Sequence, residues 1–367
     1  MKIIILDISD SHFSYLKTVY KTLNEFIEEI YLSEFLSNEL YKELKIESNK
    51  IKKIKNKYIS FFKIFELIKK INRSKTDTLF INTMQSNYIF FFFLFMFCNK
   101  KILLSIHNIN CYFDKPKGIK GEIRCFIRKY ALKKSKFMNV YGENLKNYLE
   151  KKGYQGIITS IPYSAYENEK YKSEIFNSNL VFSIPGGFST RRRDYLTVYN
   201  VFKNLEEKEL KIKLYLLGRL GGENSKELFN KFKKLKNVKC YEKYVEEEEF
   251  DEIMKKTDLI IGPLNKEIEF EKGIKEEYGL SKESGFTFAQ ITYSKPGLLP
   301  SYIKKFSELD DSCLLYKNEK ELYDIIVELY ENREILKKLK GNAEKNAKHF
   351  TYFNIKQKFI ENVGDIK

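Results

Sequence analysis

The residues best suited to chemistry stand where short apolar runs of this sequence give way to polar ones. The first such place is DISDSH at 7–12, directly after the run IIIL. Two carboxylates and an imidazole within six residues can take up or deliver a proton near neutral pH. Asp7, Asp10 and His12 are therefore candidates for proton transfer. A polar turn that caps the following helix is the competing expectation. The second place is SIHN at 105–108, where His107 closes an apolar run and Asn108 follows it. A histidine at a strand end is a candidate for proton transfer, or a satisfied structural group. The third is GGFSTRRR at 186–193, a glycine turn leading into three arginines at a helix start. Cations there oppose the helix dipole and call for an anionic partner. The fourth is Lys282-Glu283-Ser284-Gly285 ahead of an apolar helical run. Ser284 is expected to cap that helix, Gly285 to permit close approach, and Lys282 to add a cation to a helix N-terminus suited to phosphate.

These residues need a frame to hold them, and the frame is legible as alternating strands and helices. Strands are expected at 1–7, 78–83, 101–107, 137–141 and 157–161, with helices at 15–30, 87–98 and 124–134. The second half repeats the rhythm. Strands are expected at 180–185, 212–217, 238–244, 259–264 and 296–300, and helices at 194–205, 226–233, 285–293, 319–331, 334–347 and 354–363. In the run EEEEFDEIMKKTD, glutamates open and lysines close a helix, as the dipole favours. The expected fold class is α/β, two doubly wound domains joined near 164–179.

The 367 residues hold 66 Lys+Arg and 50 Asp+Glu, and the excess is uneven. Residues 1–165 carry 29 basic against 15 acidic residues, a net of +14; the remainder is nearly neutral at +2. A basic first half points to a polyanionic partner. Its densest cluster is Lys50, Lys52, Lys53, Lys55 and Lys57, close to Tyr58, Phe61 and Phe62. An anionic membrane surface suits this combination of lysines and aromatics; nucleic acid does not, since no RNA- or DNA-binding motif is present. The longest apolar run, YIFFFFLFMFC at 88–98, is about half of what a spanning helix needs. It is expected as a buried helix, with an interfacial wedge as the alternative. Five scattered cysteines without a CxxC pair and three histidines argue against a disulfide framework and a structural metal site. No secretory leader is evident, so a cytoplasmic location is expected.

As a set, these segments resemble the GT-B glycosyltransferases, and the second half resembles glycosyltransferase family 4 and its relatives. SIPGGFSTRRRDY at 183–195 is similar to the segment in which a glycine turn, here Gly187, leads to a diphosphate-contacting cation, here Arg193. LYLLGRLGG at 214–222 is similar to the second strand and its glycine loop, with Arg219 in that loop. The stretch at 237–264 is similar to the one whose backbone, here at Tyr244 and Val245, holds the nucleotide base. YGLSKESGFTFAQITYSKPGLLP at 278–300 is similar to the donor-phosphate segment, and SIHNIN to a strand end carrying a His-Asn pair. One departure stands out: aligning Lys295-Pro296 with the usual Lys-Pro places Ser281 and Ala289 where retaining enzymes carry paired glutamates.

The resemblance implies two Rossmann-like domains with a cleft between them and a C-terminal helical tail. The acceptor domain would be 1–165, completed by a helix at 350–367, and the nucleotide-sugar domain 166–349. It implies transfer of a sugar from a nucleotide-sugar donor to a lipid-linked or surface-polysaccharide acceptor at the inner membrane face, with no cofactor and no metal. On that basis His107, His12 and Asp10 are the catalytic candidates and Asp7 and Asn108 the acceptor contacts. Gly187, Arg193, Arg219, Tyr244, Val245, Lys282, Ser284 and Gly285 are the donor contacts. A non-catalytic nucleotide-sugar-binding partner and a GT-B-fold epimerase are the alternatives.

Overall fold

The structure, a computed structural model, describes residues 1–46, 49–54, 61–167 and 179–364. It divides into two compact units: Met1–Tyr163 with Glu269–Glu276 and Tyr352–Lys367, and Ser164–Ile268 with Glu277–Thr351.

The first unit runs β1 (Ile3–Asp7), α1 (Phe13–Leu23), β2 (Ile27–Ser33), α2 (Glu34–Leu44), β3 (Ile51–Ile54), α3 (Phe61–Arg73) and β4 (Thr78–Ile81). It continues with α4 (Tyr88–Phe97), β5 (Lys101–Ser105), α5 (Asn110–Phe113), α6 (Ile119–Lys134), β6 (Phe137–Val140), α7 (Glu143–Lys151) and β7 (Ile157–Ser160). Its seven strands form one parallel sheet in the order β3-β2-β1-β4-β5-β6-β7. Ile3, Ile4, Ile5 and Leu6 in the central strand are wholly buried, as a sheet covered on both faces requires.

The second unit begins with β8 (Leu180–Pro185), α8 (Tyr195–Glu207), β9 (Ile212–Leu217), α9 (Lys226–Phe232), β10 (Val238–Cys240), α10 (Glu247–Lys256) and β11 (Leu259–Ile261). A two-stranded piece, β12 (Glu267–Glu271) and β13 (Ile274–Glu277), precedes α11 (Gly285–Tyr293), β14 (Gly297–Pro300) and β15 (Cys313–Tyr316). Helices α12 (Glu319–Glu331) and α13 (Arg333–Ala347) follow, and α14 (Tyr352–Gly364) returns to the first unit. The second sheet is parallel, in the order β10-β9-β8-β11-β14-β15. Both sheets reverse direction of growth beside their first strand, so each has a topological switch point at its carboxyl edge.

Several expectations need correction. The helix expected over 15–30 ends at Leu23, and a short 3-10 turn leads into β2. Ile27, Ile30, Tyr31 and Leu32 are buried there against β1, while Glu28 reaches out to Lys2 at 2.8 Å. The strand expected over 238–244 stops at Cys240, leaving Tyr244 and Val245 in the following loop. Helix α4 buries Phe90, Phe91, Leu94 and Phe95 but exposes Ile89, Met96 and Phe97. Lys55, Lys57 and Tyr58 lie outside the described residues. Among the described residues no helix is long and apolar enough to cross a membrane.

Candidate functional site

At the switch point of the first sheet, between β1 and β4, Asp7 is fully buried. Its carboxylate accepts the Ser9 N–H at 2.9 Å and the Asn82 side-chain amide at 2.6 Å. Burial pushes its pKa up to about 6, against the pull of those hydrogen bonds. Asp7 is thus enclosed and shapes its loop rather than facing an acceptor. Asp10 is exposed on the same loop, and Asn108 is buried.

His12 adopts a left-handed backbone, with φ of 63°. Its ring stacks on that of His107, with centroids 4.5 Å apart and planes 5° from parallel. The Ser11 hydroxyl donates to Gln85 Oε1 at 3.1 Å, which turns the Gln85 amide nitrogen onto His12 Nε2. An amide N–H donates, so the proton of neutral His12 sits on Nδ1. His107 Nε2 lies 3.1 Å from the Asn82 carbonyl and 3.2 Å from Thr83 Oγ1. A carbonyl only accepts, so Nε2 carries the proton and Nδ1 accepts from the Tyr141 hydroxyl. Both nitrogens of His107 are thereby engaged inside the fold. Tyr15 stands edge-on to His107 at 5.6 Å, and its hydroxyl pairs with Ser105 Oγ at 2.7 Å and accepts from Asn139 at 2.6 Å.

The chain just beyond His107 and Asn108 is fixed by residues far along the sequence. The buried Glu276 carboxylate accepts the N–H groups of Cys111 (3.1 Å) and Asn110 (3.3 Å). The Asn110 side chain donates to Lys275 O at 2.8 Å and accepts from the Tyr148 hydroxyl at 2.9 Å. Arg128 grips Glu271 through two nitrogens, at 2.5 and 3.1 Å, and also donates to the Tyr88 hydroxyl and the Cys111 carbonyl. Sequence reasoning missed this arrangement. The alternation of EIEFEKGIKEE around Lys272-Gly273, whose glycine has φ of 85°, was the available signal for the two strands.

At the carboxyl edge of the second sheet, Gly186 and Gly187 follow β8, and Gly218 follows β9. A Cβ on Gly218 would lie 2.3 Å from the Gly186 carbonyl oxygen, so only glycine lets the two loops touch. Arg193 is turned inward: its guanidinium donates to Pro185 O at 2.7 Å, to the Tyr195 hydroxyl at 3.2 Å and to Gly186 O at 3.5 Å. Of the three arginines, Arg191 and Arg192 are the exposed ones. This segment pairs with 263–265 through Asp194 N–H to Pro263 O (2.7 Å) and Asn265 N–H to Arg192 O (3.0 Å). Tyr278 is tied to the same stretch by its N–H to Lys266 O, and its phenol lies within the fields of all three arginines. The glycine turn, the arginines and the stretch leading to α11 are therefore brought together. Arg219 lies 4.8 Å over the exposed ring of Tyr244, and Val245 is half-buried against the core.

Ser284 does not cap α11. Glu283 is tied to the start of the helix instead, its Oε1 accepting Ser284 N–H at 3.0 Å and the Thr287 hydroxyl at 2.7 Å. The other Glu283 oxygen and the Ser284 hydroxyl are buried without a hydrogen-bond partner. Burial raises the Glu283 pKa to about 7. Lys282 is half-exposed beside them, and a Cβ on the exposed Gly285 would meet nothing within 4 Å. Ser281 accepts the Glu277 N–H and Ala289 is buried in α11, so neither place carries a carboxylate. Among the described residues no group of three or more His, Cys, Asp or Glu is disposed to hold a metal ion.

Comparison with solved structures shows the same fold over the whole chain. Anabaena HepE, in complex with UDP and glucose, is similar with a TM-score of 0.68 at 15% identity, covering 100% of both chains. Sucrose-phosphate synthase from Thermosynechococcus elongatus is similar with a TM-score of 0.66 at 12% identity, covering 100% of this chain and 99% of the other. The UDP-GlcNAc 2-epimerase from Neisseria meningitidis, bound to UDP-GlcNAc, has a TM-score of 0.59 at 13% identity with both chains fully covered. No protein-family model matches the sequence, and no curated protein matches it. The fold is that of the GT-B glycosyltransferases, two Rossmann-like domains, and identities this low specify no family within it.

Proposed function

We propose that this chain is a glycosyltransferase that takes its sugar from a nucleoside-diphosphate donor, with a uridine nucleotide first in order of trial. The observation that carries this is the start of α11. It combines the N-terminus of a nine-residue helix, a buried Ser284 hydroxyl with no partner among the described residues, open space over Gly285 and a cluster of cations on the neighbouring segments. Helix N–H groups and cations together suit a diphosphate leaving group, whose charge grows as the bond to the anomeric carbon breaks. The likeness to HepE, crystallised with UDP and glucose, agrees with that choice.

In this proposal Lys282, Ser284 and Gly285 contact the diphosphate, and Arg193 holds the Gly186-Gly187 turn in shape for it. Arg219, Tyr244 and Val245 contact the nucleoside. The chain's own cations supply the positive charge, without a divalent ion. The first unit takes the acceptor. His12 accepts the proton of the attacking hydroxyl through Nε2 once Gln85 swings away, and His107 and Tyr15 hold the stacked ring in place. Asp10 and Asn108 contact the acceptor, and Asp7 orders the loop that carries His12. A lipid-linked or surface-polysaccharide acceptor at the cytoplasmic membrane face accords with the basic character of residues 1–165.

A panel of nucleotide sugars, screened for thermal stabilisation and then for release of the free nucleotide, tests the proposal. Stabilisation by UDP and a UDP-sugar with slow UDP release is expected. Interconversion of UDP-sugar epimers without UDP release would give the epimerase alternative, and no stabilisation by any nucleotide would overturn both.

A further inference from the structure

Helix α4 has no charged residue in its ten positions. One face packs into the core. The other, formed by Ile89, Phe92, Phe93, Met96 and Phe97, is exposed or half-exposed at i, i+3, i+4, i+7 and i+8. A second apolar stripe runs along α6 through Ile119, Ile123, Phe126 and Tyr130, with Ile119 79% and Phe126 61% exposed. Ring contacts join the stripes: Phe92 lies 6.0 Å from Phe126 and 5.5 Å from Tyr130. On the other flank Phe65 of α3 lies 5.6 Å from both Phe93 and Phe97. At the start of α3, Phe62 is 86% exposed. Three neighbouring helices of one unit thus share a continuous apolar face of a kind that soluble monomers seldom leave in water.

The rim of this face is basic. Apart from the buried Arg128, which is paired with Glu271, helices α3, α4 and α6 together contain nine Lys+Arg and two Asp+Glu. Both acids are already paired, Glu66 with Lys70 and Glu122 with Lys115. Lys129, Lys133 and Lys134 stand exposed beside Phe126 and Tyr130 on α6. A second copy of the chain would bring the same positive rim against this one and be repelled. An apolar face ringed by cations is complementary to a surface that is apolar a few ångströms down and negative on top. At about 1.5 Å per residue α4 is about 15 Å long, about half the hydrocarbon thickness, so it lies along such a surface rather than through it.

We propose that the α3–α4–α6 face docks this protein on an anionic lipid bilayer. The proposal deepens the functional one by naming the surface that would bring a lipid-linked acceptor within reach. It also moves the docking element from the lysines at 50–57 to the aromatic face. Of those lysines, Lys52 and Lys53 lie on the edge strand β3, where Lys53 donates to Asn38 and Lys52 to the Asn49 carbonyl.

Co-sedimentation of the full chain with vesicles, without donor or acceptor, tests the docking alone. The protein should bind vesicles of mixed phosphatidylcholine and phosphatidylglycerol, release as salt rises, and ignore phosphatidylcholine alone. The exposed-face variant Ile89→Ser/Phe97→Ser/Phe126→Ser should bind at least about tenfold more weakly. The rim variant Lys129→Gln/Lys133→Gln/Lys134→Gln should do the same, whereas Lys50→Gln/Lys52→Gln/Lys53→Gln should change binding less than about twofold. Wild-type binding by both face and rim variants would overturn the proposal. So would equal binding to neutral vesicles at any salt, or a wild-type dimer that the face variant dissolves. UDP binding is read separately by calorimetry, so a wild-type chain that binds UDP but no vesicle refutes this inference and leaves the functional proposal standing.

Discussion

At the carboxyl edge of the first sheet, the charged and ring groups are held by their neighbours. Asp7 holds Ser9 and Asn82, His107 is held at both nitrogens, and its ring is covered by His12. At the carboxyl edge of the second sheet, two polar atoms are buried without partners, the glycines Gly186, Gly187 and Gly285 are exposed, and two arginines face solvent. The first edge is knit together and leaves one buried acceptor, Asn82 Oδ1, without a partner among the described residues. The second is unfinished and short of negative charge. Under the proposed function, the exposed glycines and arginines of the second edge take the anionic donor, and the stacked histidines of the first take positioning and proton transfer.

The contrast can be broken most forcefully at Arg128. If the first edge is held together from within, Arg128→Ala should destabilise the chain by about 3–5 kcal/mol, because Glu271 loses both hydrogen bonds of a largely buried pair. Denaturant unfolding of variant and wild type measures this. A cost below about 1 kcal/mol would mean that the segment beyond Asn108 is fixed by something else.

The incomplete character of the second edge has a pH signature. The folded-state pKa of Glu283, about 7, stands above the 4.5 of an ordinary glutamate. The native state therefore keeps its proton longer, and this contribution to stability is present below about 4.5 and lost as pH rises through about 7. Glu283→Gln retains an oxygen for Ser284 and Thr287 and has no charge to bury. Relative to wild type it should gain on the order of 3 kcal/mol above pH 7 and nothing near pH 4. Parallel stability curves for the two proteins would contradict the burial of this carboxyl.

A smaller effect separates the two histidines. His12→Ala should lower turnover by about 100-fold with nucleotide affinity unchanged, since it removes the proposed base. Tyr141→Phe, which removes the hydroxyl bonded to His107 Nδ1, should cost about tenfold or less if His107 acts by positioning. Steady-state rates across pH distinguish them: loss of the base alters the profile, whereas loss of a positioning contact scales it.

The sequence makes the second unit plain and the first only in part, for a physical reason. Strand β8 is apolar but for Ser183 and β9 but for Lys213, each ending at a glycine, and helix α12 carries clear periodicity, so their limits are legible to the residue. By contrast β2 places two glutamates among its apolar residues, and β3 is an edge strand with Lys52 and Lys53 between isoleucines. Neither has the unbroken apolar run that marks a buried parallel strand. Among the site residues, His107, Lys282 and Gly285 follow from strand ends and a helix start. The inward turn of Arg193 and the burial of the Ser284 hydroxyl away from a capping contact are decided by tertiary packing, which spacing does not encode. Asn82-Thr83 and Tyr141 were discoverable as the polar endings of β4 and β6, since the carboxyl ends of parallel strands share one edge.

The most direct test of the central claim is calorimetric titration of UDP into the wild type, Lys282→Ala and Arg193→Ala, with melting temperatures recorded alongside. A diphosphate site at the start of α11 predicts saturable binding by the wild type and about 10–100-fold weaker binding by Lys282→Ala at an unchanged melting temperature. Arg193→Ala should lose both affinity and stability, because its guanidinium braces the glycine turn. Wild-type affinity in Lys282→Ala, or no heat of binding from any of the three proteins, would contradict the claim.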